Sequence, residues 1–593
     1  MKKRMLAALL ACLLLAGCGE KVQTPAAETP AVSGETIAYV PLDDRPDNLE
    51  RVVYLAESVG YVLEMPDKDD YRTRLRSQPL NGNGTQYGDR ADLYEWVLAQ
   101  EAAGCDRYVL SMDQLLSGGL VNSRSMAEHE AVTLSDGTVM TELQLLETLL
   151  ETLAADEDNR VWLLDSVMRL APTVGYDHWD LEGYNALRAY GIEGRPHLEG
   201  DALTLDNIQA DYRLDTDGQE LALADFGLEE WEVEEYLSAR SRKLELTSRM
   251  QELVSQKGYE GFRVLIGIDD SSAEECIQKN EIAYLRQGLR EGDALLSGVD
   301  DLAFKAVAKL YLEEIGWTGA TAAVRYFGGS EEQPACAYDF QALDTIMKDH
   351  FAFFGLSESG DHLAAELQVL VLTQPLVEED REAYYTQLIE ALRECQEQDW
   401  PVILVDAGNG RYGTAFHDAL TEQVELGRLL SYAGFLDMAI VTGTALSHGV
   451  ARYAYLSQDT AADQAETAFA KTLADSVIKD FCYKNVVRED LLAYIRNDLG
   501  GSPDNYWEPE IDREAVLKRL ESGMKKAVKN VVKNLEGSRY IVSLDQSAED
   551  GGLADWGDIT LSNYQFPWDR AFEISMDLEI TEPRGGIFQI FNK

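Results

Sequence analysis

The sequence predicts an α/β protein. Its body, residues 35–460, is expected to be (β/α)8-barrel-like with mainly parallel strands, and residues 461–593 to form a helical C-terminal region with a short β-like tail. Three observations lead there. Short apolar runs recur without polar alternation, the pattern of strands buried on both faces. Helical patterns fill the gaps between them, as in βα repeats. After about residue 460 the strand-like runs stop.

In chain order, strands are expected at Ile37–Val40, Tyr61–Leu63, Tyr108–Leu110, Val161–Leu164, Val264–Ile268, Ala322–Val324, Leu367–Val371, Val402–Val405 and Met438–Val441. Helices are expected at Asn48–Ser58, Thr141–Leu153 and Arg381–Gln396. Residues 196–260 are acidic and end in a helix near Gln256 that should pack outside the sheet. Beyond residue 460, Thr467–Ile478, Asp490–Leu499 and Arg513–Leu535 read as helices. The last bears Lys518, Arg519, Lys525, Lys526, Lys529 and Lys533, a stripe expected to face solvent or to dock on the acidic body. The segment Arg539–Ile580 turns β-like. No internal repeat is visible in the sequence.

The first 34 residues read as an address. Lys2, Lys3 and Arg4 precede an apolar run, Met5–Leu15, that is too short to span a bilayer as a stable helix. Leu15-Ala16-Gly17-Cys18 follows and resembles the lipobox of bacterial lipoproteins. That resemblance implies lipid on Cys18, a membrane anchor and an extracytoplasmic location. Residues 1–18 are thus signal and lipobox, and 19–34, rich in Ala, Thr, Pro and Glu, a flexible tether. Five further cysteines, Cys105, Cys276, Cys336, Cys395 and Cys482, lack zinc-site spacing and leave room for one disulfide.

Charge narrows the partners. The 593 residues carry 105 Asp and Glu against 52 Lys and Arg, a formal net charge of −53. Such a surface repels the phosphates of nucleic acid and of anionic lipids, so no nucleic-acid partner is expected. With 45% hydrophobic residues the chain has ample material for large cores. It holds no HExxH, GxSxG or Walker A motif, which argues against zinc-peptidase, serine-hydrolase and nucleotide chemistry. Asp215-Thr216-Asp217-Gly218 reads as a turn and His448 as a structural histidine or a ligand contact.

Polar groups gather just after the strands, where α/β folds bind ligands. They are Asp43, Asp44 and Arg45; Asp113 and Arg124; Asp165 and Arg169; Asp269 and Asp270; and Asp406 and Asn409. A single Asp there is an ordinary helix cap, but five such ends in one chain make a candidate site. Asp269-Asp270 is the sharpest. Two close carboxylates push their pKa values apart, which suits acid–base work as in glycoside hydrolysis. The same pair could instead cap the helix that includes Cys276–Leu285 or hold Ca²⁺ or Mg²⁺. No cofactor or resident metal is expected.

At these residues the chain resembles a large bacterial family known only as a domain of unknown function. The motifs are Pro41-Leu42-Asp43-Asp44-Arg45-Pro46, the segment Asp113 to Arg124, Arg169 to Thr173, Asp269 to Ser272, and Phe566 to Glu573. Where that family has an Asn-bearing segment, this chain has Tyr432-Ala433-Gly434-Phe435-Leu436-Asp437-Met438-Ala439-Ile440. A DD pair after a central strand is also similar to bacterial β-N-acetylglucosaminidases and hyaluronidases. This second resemblance implies a surface-tethered glycoside hydrolase using substrate-assisted catalysis. It would make Asp269 the carboxylate that polarises the N-acetyl group and Asp270 the acid/base. Asp406 and Asn409 would hold sugar hydroxyls, and Asp43, Asp44, Arg45, Asp113, Arg124, Asp165 and Arg169 would line the carbohydrate site. The alternatives are a non-catalytic glycan- or solute-binding lipoprotein, which should show two similar α/β lobes and a hinge, and a metal-dependent hydrolase.

Overall fold

The computed structural model describes residues 35–581, except 77, 274, 330–332, 409–412, 435–436, 459–461, 502–510, 546 and 548. The signal, Cys18, the tether and Asn409 lie outside the described residues.

Eleven strands form two parallel sheets. The first contains β1 (Thr36–Val40), β2 (Val62–Glu64), β3 (Arg107–Ser111), β4 (Arg160–Val167), β5 (Phe262–Ile268) and β6 (Ala294–Ser297). Their order is β2-β1-β3-β4-β5-β6. The second contains β7 (Ala320–Phe327), β8 (Leu356–Glu358), β9 (Leu367–Leu372), β10 (Val402–Asp406) and β11 (Ser431–Gly434), in the order β8-β7-β9-β10-β11. The α/β class, the parallel strands and the helical C-terminal region with its β tail are therefore as the sequence predicts. No pairing joins the two sheets among the described residues, so the strands make two open ladders and not one closed ring. Counted within each half, both sheets begin 2-1-3-4-5, a repeat of topology that the sequence does not display.

The apolar runs lack alternation because both faces are covered. Along β1, Ile37 and Tyr39 enter one core while Ala38 and Val40 enter another. Along β10, Ile403 and Val405 face the first of these cores, and Val402 and Leu404 face a third. The shared core holds helices Glu50–Ser58, Leu302–Glu314, Leu343–Phe354 and Met438–Leu456 between the sheets. The second core covers the outer face of the first sheet with Arg90–Ala102, Glu142–Leu153 and Glu230–Lys257, the last being the helix expected outside the sheet. The third covers the outer face of the second sheet with Arg381–Glu397 and the C-terminal helices.

One expected strand is corrected. Met438–Val441 opens the helix Met438–Leu456, and the strand lies just before it at Ser431–Gly434. Every residue of that helix is buried, and its first four, Met438–Val441, are apolar without a break, so that stretch carries no helical period to set against a strand. The short strands β6 and β8 are not among those the sequence predicts. His448 lies within this helix, 3% exposed, against the ring of Phe304. Asp215–Gly218 is a turn, with Gly218 at φ +74°.

The C-terminal helix Arg513–Gly537 buries Val516, Leu520, Met524, Val528, Val531 and Leu535 and leaves its lysines exposed. Arg519 pairs with Asp490 at 2.7 Å on that solvated face. Antiparallel pairs Arg539–Ile541 with Leu553–Asp555, and Ile559–Gln565 with Ser575–Ile580, make the β tail. Cys105, Cys276, Cys395 and Cys482 are buried thiols. No described helix is long and apolar enough to cross a membrane.

Candidate functional site

Strand register sets the ends of the first sheet side by side: Val40 opposite Leu110, Val167 opposite Ile268, and Ile268 opposite Ser297. The loops that follow carry the polar groups, with β1 and β3 flanking the point where strand order reverses.

After β1, Asp43 is fully buried and receives the Arg45 Nε–H at 2.9–3.0 Å and the Asn48 amide at 3.1 Å. Arg45 also spans to Asp300, after β6, with two bonds of 2.6 and 3.1 Å. Its ring neighbour is Trp568, 5.0 Å away. Asp44 accepts from the Trp568 indole at 2.9 Å and from the Thr73 N–H at 3.2 Å. Burial still pushes its carboxyl up to about 6.

After β5, Asp269 is 3% exposed and both its oxygens are used. One accepts from Arg124, the other from the Asp270 N–H at 2.8 Å. Arg124 is held in turn by Thr173 at 3.0 Å. Burial raises the Asp269 carboxyl, and Arg124 opposes the rise. Asp270 points the other way. It pairs with Arg169 at 2.9 Å and is 31% exposed, the most open of the predicted acids in these ion pairs. Arg169 is braced by the carbonyls of Ala171 and Pro172.

Asp113 and Asp165 do not reach this mouth. Both turn to Lys243, on the long outer helix, with Asp113 3.0 Å from its ammonium. Ser166 donates to Asp113 at 2.7 Å. They fix that helix to the sheet instead of facing solvent. Asp406, at the end of β10, is also buried. It accepts from the Gly408 N–H at 3.1 Å and the Tyr432 hydroxyl at 3.3 Å, and burial lifts it to about 6.

The structure adds residues that strand-end reasoning did not single out. Asp437 stands at the N-cap of helix Met438–Leu456 but does not cap it. Asp339 performs that task, accepting from the N–H groups of Met438 at 3.3 Å and Ala439 at 3.1 Å. The Asp437 carboxyl forms no ion pair among the described residues. Burial, then Asp270, Asp339 and Asp300, hold it well above the ordinary carboxylate range. Asp437 therefore brings a carboxyl with a raised hold on its proton from the second sheet toward Asp270 on the first. Tyr338, 40% exposed, stands beside them with Arg188 4.5 Å over its ring.

The tail completes the mouth. Trp568, Arg570 and Glu573, with Arg45, line a cavity of ≈ 30 Å³. Arg570 donates to the Val174 carbonyl at 2.9 Å. Glu573 lies 3.7 Å from Arg45, and burial, with Asp47 adding, raises it to about 8. The signal for these was the Phe566–Glu573 motif, which no local pattern connects to a strand end more than 500 residues away. Elsewhere, Asp177, His178 and Glu235 form a group that could hold a metal ion, at the surface and apart from every predicted site residue.

No curated protein and no solved structure matches the chain. The model of the family described as "Protein of unknown function (DUF4127)" matches residues 37–577, and the chain belongs to that family.

Proposed function

Taking that membership as premise, we propose that the protein is a glycoside hydrolase acting on N-acetylhexosamine-containing glycans, tethered outside a bacterial membrane through lipid on Cys18. The observation that carries the reading is the pair Asp270 and Asp437. One is ion-paired to Arg169, and the other has no ion pair among the described residues and is held well above the ordinary carboxylate range by burial and its acidic neighbours. Two carboxyls close enough for one to act on the other's charge, in unlike surroundings, can divide a proton donor from a polarising carboxylate.

Asp269 has both oxygens occupied, so the polarising role falls to Asp270, which accepts from the acetamido N–H while the substrate's acetamido carbonyl oxygen attacks the anomeric carbon and the glycosidic bond breaks. Asp437 donates a proton to the leaving oxygen and then, as a carboxylate, takes one from water. Tyr338 offers an exposed ring against which a sugar face can lie. No protein nucleophile and no cofactor enter this scheme.

The test is release of N-acetylhexosamine from fluorogenic N-acetylhexosaminides and from cell-wall glycan, with Asp270→Asn and Asp437→Asn as controls. Turnover with retained anomeric configuration, lost in both variants, supports the reading. A wild-type chain inert on the whole panel sinks it.

A second reading, glycan binding without turnover, draws on the repeated strand order, which gives two similar α/β halves. The shared helical core between the sheets weighs against the hinge such a binder uses.

A further inference from the structure

Four arginines converge at the mouth, and one of them has no acid. Arg45, Arg124 and Arg169 are each paired to a carboxylate, Asp43 and Asp300, Asp269, and Asp270 respectively. Arg570 has the Val174 carbonyl and the Trp568 ring 5.4 Å away, but no ion pair among the described residues. Its Nε is buried and makes no hydrogen bond, and neither does that of Arg124. Burial, then the charges of Arg169, Arg45 and Arg124, push the Arg570 guanidinium down to about 9. The arginine thus sits among like charges, in a chain with twice as many acids as bases.

A docking role does not account for it. The carbonyl bond and the ring contact that seat Arg570 satisfy one arm of its fork and leave the rest of a bidentate donor beside the cavity of ≈ 30 Å³. Glu573, in the same cavity, has both oxygens without a hydrogen bond and favours the neutral form, so it does not neutralise Arg570. Buried guanidinium forks match planar or tetrahedral oxyanions, and a cation left unpaired in the empty site is compensated when such an anion arrives. Arg169 joins this group to Asp270, so the anion would lie next to the reacting bond.

We propose that Arg570, with Arg45, Arg124 and Arg169 around it, receives an oxyanion carried by the sugar, so that the substrate is an anionic and not a neutral N-acetylhexosamine glycan. The proposal rests on the sugar-binding part of the reading above. Its chemistry is shared by a sugar carboxylate, as in N-acetylmuramic acid, and by a sugar phosphate or sulfate.

The experiment is calorimetric titration of the full-length chain, in micelles of neutral headgroup, with N-acetylglucosamine, N-acetylmuramic acid, N-acetylglucosamine 6-phosphate and N-acetylglucosamine 6-sulfate. At least one charged sugar should bind about tenfold or more tighter than the neutral one. Which of them does so identifies the source of the oxyanion. Arg570→Gln should bring charged and neutral sugars to within about twofold of each other, while Arg570→Lys, which keeps charge but not the fork, should fall between. Equal affinities in the wild-type chain, or no binding of any of the four, overturn the proposal even if neither variant folds. Charged-sugar preference without turnover overturns the hydrolase reading alone, whereas turnover without preference overturns the oxyanion seat alone.

Discussion

The two sheets share a strand order and end in unlike chemistry. Beyond the first, most acids are met by cations: Asp43 and Asp300 by Arg45, Asp269 by Arg124, Asp270 by Arg169, Asp301 by Lys305, with Asp44, held by Trp568 and Thr73, the exception. Beyond the second, Asp339, Asp406 and Asp437 form no ion pair among the described residues. Burial lifts Asp339 and Asp406 to about 6 and Asp437 higher. The cause is local: the first sheet's loops supply Arg45, Arg124 and Arg169, and the described loops of the second supply no equivalent. Topology repeats, but the charge on a carboxyl is decided by what stands next to it. Ion-paired carboxylates beside Asp437, a carboxyl held well above the ordinary range, are what acid–base chemistry near neutral pH requires.

The largest test of that asymmetry is catalytic. Asp270→Asn should lower kcat by about 10²–10³-fold, the usual worth of a group that stabilises charge developing in the transition state, with the thermal midpoint little changed because the side chain is partly open. Asp406→Asn, at the second sheet's own strand end, should cost less than about tenfold. Parallel kinetics on the two variants check the contrast, and equal losses would dissolve it.

Next in size is the tie between the halves. Arg51, on the helix after β1, contacts Asp47 at 2.8 Å, Asp480 at 3.2 Å and Asp475 at 3.6 Å. Asp480 also accepts the Gly434 N–H from β11 at 3.4 Å. Arg51→Met strands several buried acids and should destabilise by about 3–5 kcal/mol. Chemical denaturation measures it, and a loss below about 1 kcal/mol would show that the halves do not depend on this cluster.

A third test uses pH. Glu573 is raised from 4.5 to about 8 in the folded chain. A carboxyl raised on folding stabilises fully below its unfolded value, and that stability is lost as pH rises through the folded value. Thermal midpoints should therefore fall between about pH 4.5 and 8, with Asp44, Asp339 and Asp406 adding to the acidic part of the slope. Glu573→Gln should flatten the part nearest pH 8. An identical slope in that variant would place the titration elsewhere.

Much of this was legible in the sequence, and the reasons differ by element. Strands such as Val264–Ile268 announce themselves because burial on both faces leaves a run of apolar side chains. The same burial hides the helix at Met438, where no polar face marks a period. Asp43, Arg45, Asp269, Asp270 and Arg169 could be found because each follows a strand within a few residues, and Arg124 because it ends the polar segment that begins there at Asp113. Asp113, just after β3, and Asp165, near the end of β4, lie at the same sheet end, yet Lys243 arrives from a helix some 80–130 positions later and closes over them, a tertiary event without a local trace. Arg570 and Glu573 are the converse case, brought to the mouth by a tail whose Trp568 bonds to Asp44.

The smallest expected effect separates cations at the mouth from cations at large. Lys525, Lys526 and Lys529 are exposed on the C-terminal helix, whose apolar face alone is buried. They add positive charge to a very acidic chain, so a general pull on anions would involve them as well as Arg570. A triple change to Gln should shift stability by less than about 0.5 kcal/mol per site and leave turnover and the charged-to-neutral sugar preference as in the wild type. Their charge lies in high-dielectric solvent, screened over roughly 8–10 Å at physiological salt, whereas Arg570 acts from within the mouth. Should the triple variant lose the preference, the anion would be drawn by the field of the whole chain, and the wall formed by Arg45, Arg124, Arg169 and Arg570 would owe its charge to packing alone.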